Sequence, residues 1–357
     1  MCLIIGLMSD RMKGNAALLL TAILWGSGFI AQKIGNTVMP PMTFNAVRML
    51  MASAVLVPLV LPGLRKSGYF DTARNTKETV SRRYRKSLMA GLICGAFLMI
   101  GTNTQQIGLL TVSAGKSGFI SSVYIVFVPF FSVLIGKKVS MKSVFCIVLA
   151  MIGFAVMSLE GGLGGATPGD WLTLMSAAAF AAQIVAVNCF IDKDNALLLS
   201  QLQFLFSGIL SLAVSIPVER PDPASLLAGI PVLLYATFVP TAGGYTLQIV
   251  GQKYTDSTTA ALLMSTEAVF AAVFGALMLG EMMSAREIAG SAIIFAATVI
   301  GQIEPRHPRR NSDADGTVCR HNADGPDGRC NADGPDGRHN ADGPASRNDA
   351  DAPGQQA

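Results

Sequence analysis

The chain alternates long apolar runs with short polar punctuation. The windows Ala16 to Ile30, Leu88 to Ile100 and Phe270 to Leu279 contain no charge, and similar runs recur between them at the length of helices rather than strands. With a rise of about 1.5 Å per residue, a helix needs about 20 residues to cross a hydrocarbon layer of about 30 Å. On that scale the pattern predicts transmembrane helices near 14–34, 41–62, 87–109, 114–135, 143–160, 169–191, 196–217, 228–251, 256–280 and 284–303. Gly and Pro mark the links at Pro40-Pro41, Pro62-Gly63, Gly161 to Gly165 before Pro168-Gly169, and Pro217 to Pro223. The expected fold class is an all-α integral membrane protein of ten transmembrane helices.

Composition agrees. Of 357 residues 51% belong to the hydrophobic set and 14% are charged, against about 25% charged in soluble domains. Such a chain cannot cover a water-facing surface, which excludes a soluble globular enzyme. The net charge of +4 conceals a division: residues 304–357 hold seven Lys/Arg and ten Asp/Glu, so the remainder carries +7. Its cations are unevenly placed. Arg11, Lys13, the group Arg65, Lys66, Arg74, Lys77, Arg82, Arg83, Arg85 and Lys86, then Lys137, Lys138 and Lys142, all fall on one side of the predicted bundle. Cations are retained on the cytoplasmic side, so both termini are predicted cytoplasmic in a multi-pass protein of the cytoplasmic membrane. The second half adds no bias, because Lys193 and Lys253 are balanced by Arg220 and Arg286.

Residues 1–13 read as an N-terminal extension, with Met12 a natural start. Residues 304–357 read as a disordered, low-complexity cytoplasmic tail. NADGPDGRC at 322–330 is followed by NADGPDGRH and a decaying third copy, a period with almost nothing apolar to bury. The three histidines, His307, His321 and His339, sit there beside Cys319 and Cys330 without metal-site spacing. Cys94, Cys146 and Cys189 lie in apolar runs and read as packing residues. Neither metal nor other cofactor is implied, and nothing points to a nucleic acid.

Displacing the chain by 144 residues aligns Thr111 with Thr255, Ser113 with Ser257, Phe130 with Phe274, Gly136 with Gly280, Ser140 with Ser284 and Lys142 with Arg286. A unit of five helices is odd, so its second copy enters the membrane from the opposite face. The predicted architecture is two inverted five-helix repeats, over 14–160 and 169–303, as in many secondary transporters.

Three motifs then carry a resemblance. They are Trp25-Gly26-Ser27-Gly28-Phe29; Ser113-Ala114-Gly115-Lys116-Ser117-Gly118-Phe119-Ile120 running on to Val128-Pro129; and Ala260 to Ala272 followed by Gly280-Glu281. In these the chain, from about 14 to 303, resembles the EamA-type ten-helix branch of the drug/metabolite transporter superfamily. The resemblance implies a carrier of small metabolites, often outward, by alternating access. That family often has Pro after the acidic residue of the ninth helix, where this chain has Ala268.

A polar side chain inside hydrocarbon must be satisfied by protein or by cavity water. Asn103 and Gln106, with Gln105 beside them, mark the third helix; Tyr245, Gln248 and Gln252 share one face of the eighth; Trp25 and Gln32 share a face of the first; Gln183 and Asn188 mark the sixth. Trp25, Gln32, Asn103, Gln106, Tyr245 and Gln248 are the candidate substrate-binding residues. The competing reading is interhelical glue, worth about 0.6 kcal/mol per hydrogen bond; the two weigh evenly for Trp25, Tyr245 and Gln248, while glue is favoured for Gln105 and Gln183. Gly91 and Gly95 suggest close packing.

Glu267 is the acid placed nearest mid-membrane, and a lone carboxyl at that depth is a candidate for coupling transport to protons. The alternative is a structural Glu bonded to its neighbours. Glu281 reads as a solvated helix end. Lys33, Arg48 and Lys116 lie within about seven residues of an outer helix end, where long stems reach water; Lys116 is the best of them as a weak anion contact. The leading expectation is a secondary transporter, an exporter in the family's manner, of amino acids or related metabolites, with the substrate, the lipid bilayer and protons as partners. A membrane enzyme is disfavoured because no His precedes His307. A membrane scaffold or receptor is the remaining alternative.

Overall fold

A computed structural model describes residues 10–69, 71, 75–133, 136, 140–159, 165–190, 196–254, 260 and 263–302. The N-terminal extension up to residue 9, part of the glycine-rich link near 161, Lys137, Lys138, Lys193 and the repeat tail lie outside the described residues. The described chain is helical with no strand. Its elements are α1 (Asp10–Val38), α2 (Pro41–Ser67), α3 (Lys77–Gly108), α4 (Ala114–Ser132), α5 (Met141–Ser158), α6 (Pro168–Phe190), α7 (Ala196–Glu219), α8 (Ile230–Tyr254), α9 (Leu263–Leu279) and α10 (Ala285–Gln302), with a short turn of helix at Pro223–Ala228. Among the described residues eight of these, α1 to α8, are long and apolar enough to cross a membrane.

Local chemistry sets the ends. Side-chain oxygens of Thr76, Ser113 and Ser140 accept the N–H groups of Thr79, Lys116 and Ser143, capping α3, α4 and α5. Thr167 and Asp170 cap α6 reciprocally, each side chain accepting the other's backbone N–H at 3.0 and 3.2 Å. Pro41 opens α2, and Gly68 closes it in the left-handed region at φ 63°. α3 begins at Lys77, ten residues before its apolar part, so the Arg82–Lys86 stretch extends the helix beyond hydrocarbon length. α4 is interrupted at Val123. In α8 the segment Thr237–Tyr245 widens into π-helical turns around Pro240, and the Thr241 hydroxyl donates to the carbonyl of Ala236 at 2.7 Å.

Helices pack across the two halves of the chain more than within them. α2 lies on α7, α3 on α6 and α7, α5 on α10, and both α8 and α9 lie on α1, with α9 also against α4. Small residues permit the approach, as helix association in lipid demands. A β-carbon at Gly95 would come within 2.9 Å of the Gln203 carbonyl, one at Gly153 within 2.9 Å of the Gly290 carbonyl, and one at Gly26 would overlap Phe270. Large apolar side chains such as Leu59, Phe130, Phe145, Ile152 and Ile209 are exposed around the outside, a surface suited to lipid. Cys94 and Cys146 are buried, whereas Cys189 is exposed on α6, so packing accounts for only two of the three.

Candidate functional site

Several polar side chains of the apolar helices meet at one cavity of about 50 Å³, room for a few waters. It is walled by α1 through Trp25 and Gln32, α2 through Arg48, α3 through Gln105, α4 through Ser121 and Tyr124, α6 through Gln183, α8 through Thr241, Tyr245 and Gln248, and α9 through Glu267. Both halves of the chain therefore contribute.

The α1–α8 wall is built on backbone proximity. Gly244 leaves its space to the Trp25 indole, whose Nε1 donates to the Pro240 carbonyl at 3.1 Å. The Trp25 ring lies 4.9 Å from that of Tyr245, which meets Phe204 edge-on at 5.7 Å. Such aromatic pairs hold their rings in one orientation. Opposite them, α9 resumes as regular helix at Glu267 after a turn at Thr266. The Glu267 carboxyl is buried and faces the Tyr124 hydroxyl. The Tyr124 oxygen and the Gln32 Oε1 are both buried without a hydrogen-bond partner. Unpaired buried polar atoms ringing a cavity are places for a ligand or water to complete.

Five of the residues singled out from the sequence, Trp25, Gln32, Tyr245, Gln248 and Glu267, meet in this cavity. Asn103 and Gln106 do not line it. Asn103 accepts from Asn45 and donates to Ser211, both at 3.0 Å, joining α2, α3 and α7. Gln106 donates to the Gln32 carbonyl at 2.9 Å and to Asn36 at 2.8 Å, and Asn36 returns a bond to the Gln106 carbonyl. Conversely Gln105 and Gln183, expected as glue, reach the cavity while bonding Ser121 and Gln203, each at 2.9 Å.

The cations depart from expectation most. Arg48 does not reach water: it is 4% exposed and lines the cavity, its guanidinium 5.6 Å from the Phe44 ring and its Nε unpaired. Lys116, expected as a weak anion contact, is taken by Asp170 in an ion pair of 2.8 Å. Lys33 pairs with Glu281 at 2.9 Å and donates to the Val112 carbonyl at 2.6 Å. Glu281, expected in water, also accepts the N–H of Ala114 at 2.7 Å. Glu219 accepts the N–H groups of Met42 and Thr43 at 2.8 and 2.7 Å, a carboxylate at the start of α2 where the helix dipole favours it. The Lys33–Glu281 and Lys116–Asp170 pairs and the contacts of Glu281 with Ala114 and of Glu219 with Met42 and Thr43 join the two halves at the end of the bundle that holds the α1–α2 and α3–α4 links. Among the described residues no group of three His, Cys, Asp or Glu could hold a metal.

Comparison with known proteins agrees with this architecture. The model of the EamA-like transporter family matches residues 12–159 and again 167–300. An "uncharacterized transporter" of Archaeoglobus fulgidus is 29% identical over 291 residues, covering 81% of this chain and 86% of that protein. One crystal structure superposes with a TM-score of 0.52 at 16% identity, over 81% of this chain and 96% of the other, a likeness of fold alone. Matched twice over most of its length, and with helices from both matched regions meeting at one buried polar cavity, the chain belongs to the EamA-like transporter family of the drug/metabolite transporter superfamily and is a multi-pass membrane transporter.

Proposed function

We propose that the protein is a secondary carrier of ten transmembrane helices that exports small metabolites, amino acids or close relatives, across the cytoplasmic membrane by alternating access, rather than an enzyme. The single observation that carries this reading is the buried cavity to which both halves bring polar side chains, with Glu267 in its wall and ion pairs joining the halves at one end of the bundle. Trp25, Gln32, Tyr245 and Gln248 would contact substrate. Gln106 would act at one remove by holding the Gln32 backbone, and Asn103 by fixing α2 and α7. Glu267 would carry the coupling proton, while Lys116 would serve closure through Asp170 rather than bind an anion.

Inverted repeats over 14–160 and 169–303 are supported by the packing pattern. α3 lies on α6 as α8 lies on α1, α4 meets α6 as α9 meets α1, and α2–α7, α4–α9 and α5–α10 pair directly. A twofold axis in the membrane plane that exchanges each helix with the one five places on would produce this arrangement. The cation bias then makes the ion-paired end the outer one, with both termini cytoplasmic. A cavity of about 50 Å³ is too small for a metabolite and would have to widen to load one.

The test is counterflow in liposomes holding the purified protein, with a panel of labelled amino acids and related metabolites and an imposed pH gradient. Exchange of at least one compound above protein-free liposomes is expected, and accelerated by the gradient. Failure to bind or move any of them would refute the carrier reading.

A further inference from the structure

Arg48 is the cavity's unexplained charge. It sits two turns into α2, 4% exposed, and neither it nor Glu267 takes part in an ion pair among the described residues. The Phe44 ring lies 5.6 Å from its guanidinium carbon, which supports the cation without satisfying its N–H donors. The half-buried Lys116, by contrast, has a dedicated carboxylate partner, Asp170. A buried charge left uncompensated is strongly unfavourable, and a protein retains one where something else completes it. Here the open side of the guanidinium is the cavity.

We propose that the transported molecule carries a carboxylate and that Arg48 receives it. The inference rests on reading the cavity as the substrate site, and it names the class of substrate. A guanidinium presents parallel donors that match the two oxygens of one carboxylate. A phosphate monoester suits the site poorly, because it brings up to two negative charges to a cavity with a single cation. The remaining lining fits the rest of such a molecule. Gln248, Gln105 and Thr241 supply neutral polar contacts, Trp25 and Tyr245 supply rings, and Glu267 can take an ammonium or stay protonated for a neutral substrate.

The experiment uses the full-length protein in liposomes. Counterflow is measured for neutral amino acids, for their carboxamides and for their decarboxylated amines, with wild type, Arg48→Met and Arg48→Lys. Wild type should favour the acid over the amide by about tenfold or more. Arg48→Met should bring the ratio within about twofold, and Arg48→Lys, which keeps charge but loses the fork, should fall between them. Thermal unfolding of the empty proteins in detergent is the second readout. If Arg48 waits for a ligand, Arg48→Met unfolds no lower than wild type, because an uncompensated charge has been removed. Equal transport of acid and amide by wild type, an unchanged preference in Arg48→Met, or a markedly lower melting temperature for that variant would each overturn the proposal. Transport confined to compounds without a carboxylate would sink this inference and leave the carrier standing. Transport of nothing would remove both.

Discussion

The Lys116–Asp170 pair offers the sharpest test of what holds the cavity shut. Its N–O distance is 2.8 Å, Asp170 is fully buried and Lys116 is 13% exposed. Asp170→Asn removes the negative charge while keeping an oxygen that can accept the Thr167 N–H at the start of α6. Taking one partner from a fully buried pair costs about 3–5 kcal/mol. Lys116 retains some solvent and can find more when the end opens, so about 2 kcal/mol is the reasonable share lost by the closed state alone. At 1.4 kcal/mol per tenfold this moves the closed-to-open equilibrium about 30-fold. The neighbouring Lys33–Glu281 pair is 24% and 22% exposed, and its loss through Lys33→Gln should matter by about 0.5 kcal/mol, a twofold effect. In a cysteine-free background, Ser121→Cys places a thiol in the cavity wall. Its labelling by a membrane-impermeant maleimide added from the side of the α1–α2 link reports opening at that end. Asp170→Asn should accelerate labelling about 30-fold and Lys33→Gln about twofold. If Asp170→Asn leaves the rate unchanged, or both variants raise it equally, burial of the pair is not what holds this end closed.

Three further outcomes are expected. Glu267→Gln should fold normally yet lose any dependence of transport on a pH gradient, measured as uptake with and without the gradient; a persisting dependence would remove Glu267 from proton coupling. Gly26→Ala should destabilise the protein by about 1–3 kcal/mol, because the added carbon meets Phe270 and the Ala271 backbone, whereas Gly63→Ala, with nothing within 4 Å, should be tolerated; detergent unfolding of the pair checks the contrast. Removing residues 311–357 should leave counterflow unchanged, since the NADGP repeat has nothing apolar to pack; lost activity would give the repeat a role in the carrier.

The spans were legible because hydrocarbon dictates both the length and the polarity of what crosses it. Reading stopped short where water takes over. The stretch Lys77–Lys86 is too polar to look like membrane helix, yet the Thr76 cap and the continuing backbone ladder make it the first turns of α3. In the cavity, spacing within one helix identified faces but not neighbours. Trp25 with Gln32 and Tyr245 with Gln248 look into a shared space, while Asn103 and Gln106, spaced no less regularly, look into adjoining helices. Arg48 was hidden for a related reason: nearness to a helix end says how far a stem can reach, not which way the packed helix points it. Asp170 caps the start of α6, and its ion pair with Lys116 is set by the packing of α4 against α6 rather than by any spacing along the chain.

The widened turn of α8 also has a genetic reading. A π-helical turn is geometrically an α-helix that has accepted about one extra residue. In a span without such a turn, deleting one codon would rotate everything downstream by about 100° and swing buried amides out to lipid. Between Thr237 and Tyr245 the same deletion would be absorbed by narrowing the widened turns around Pro240, with Leu233 before them and Gln248 after them keeping their buried sides. The wall that bears Tyr245 and Gln248 is therefore one place where this transporter can lose a residue inside the membrane and keep its fold. Its cavity can be resized there without any side chain being replaced.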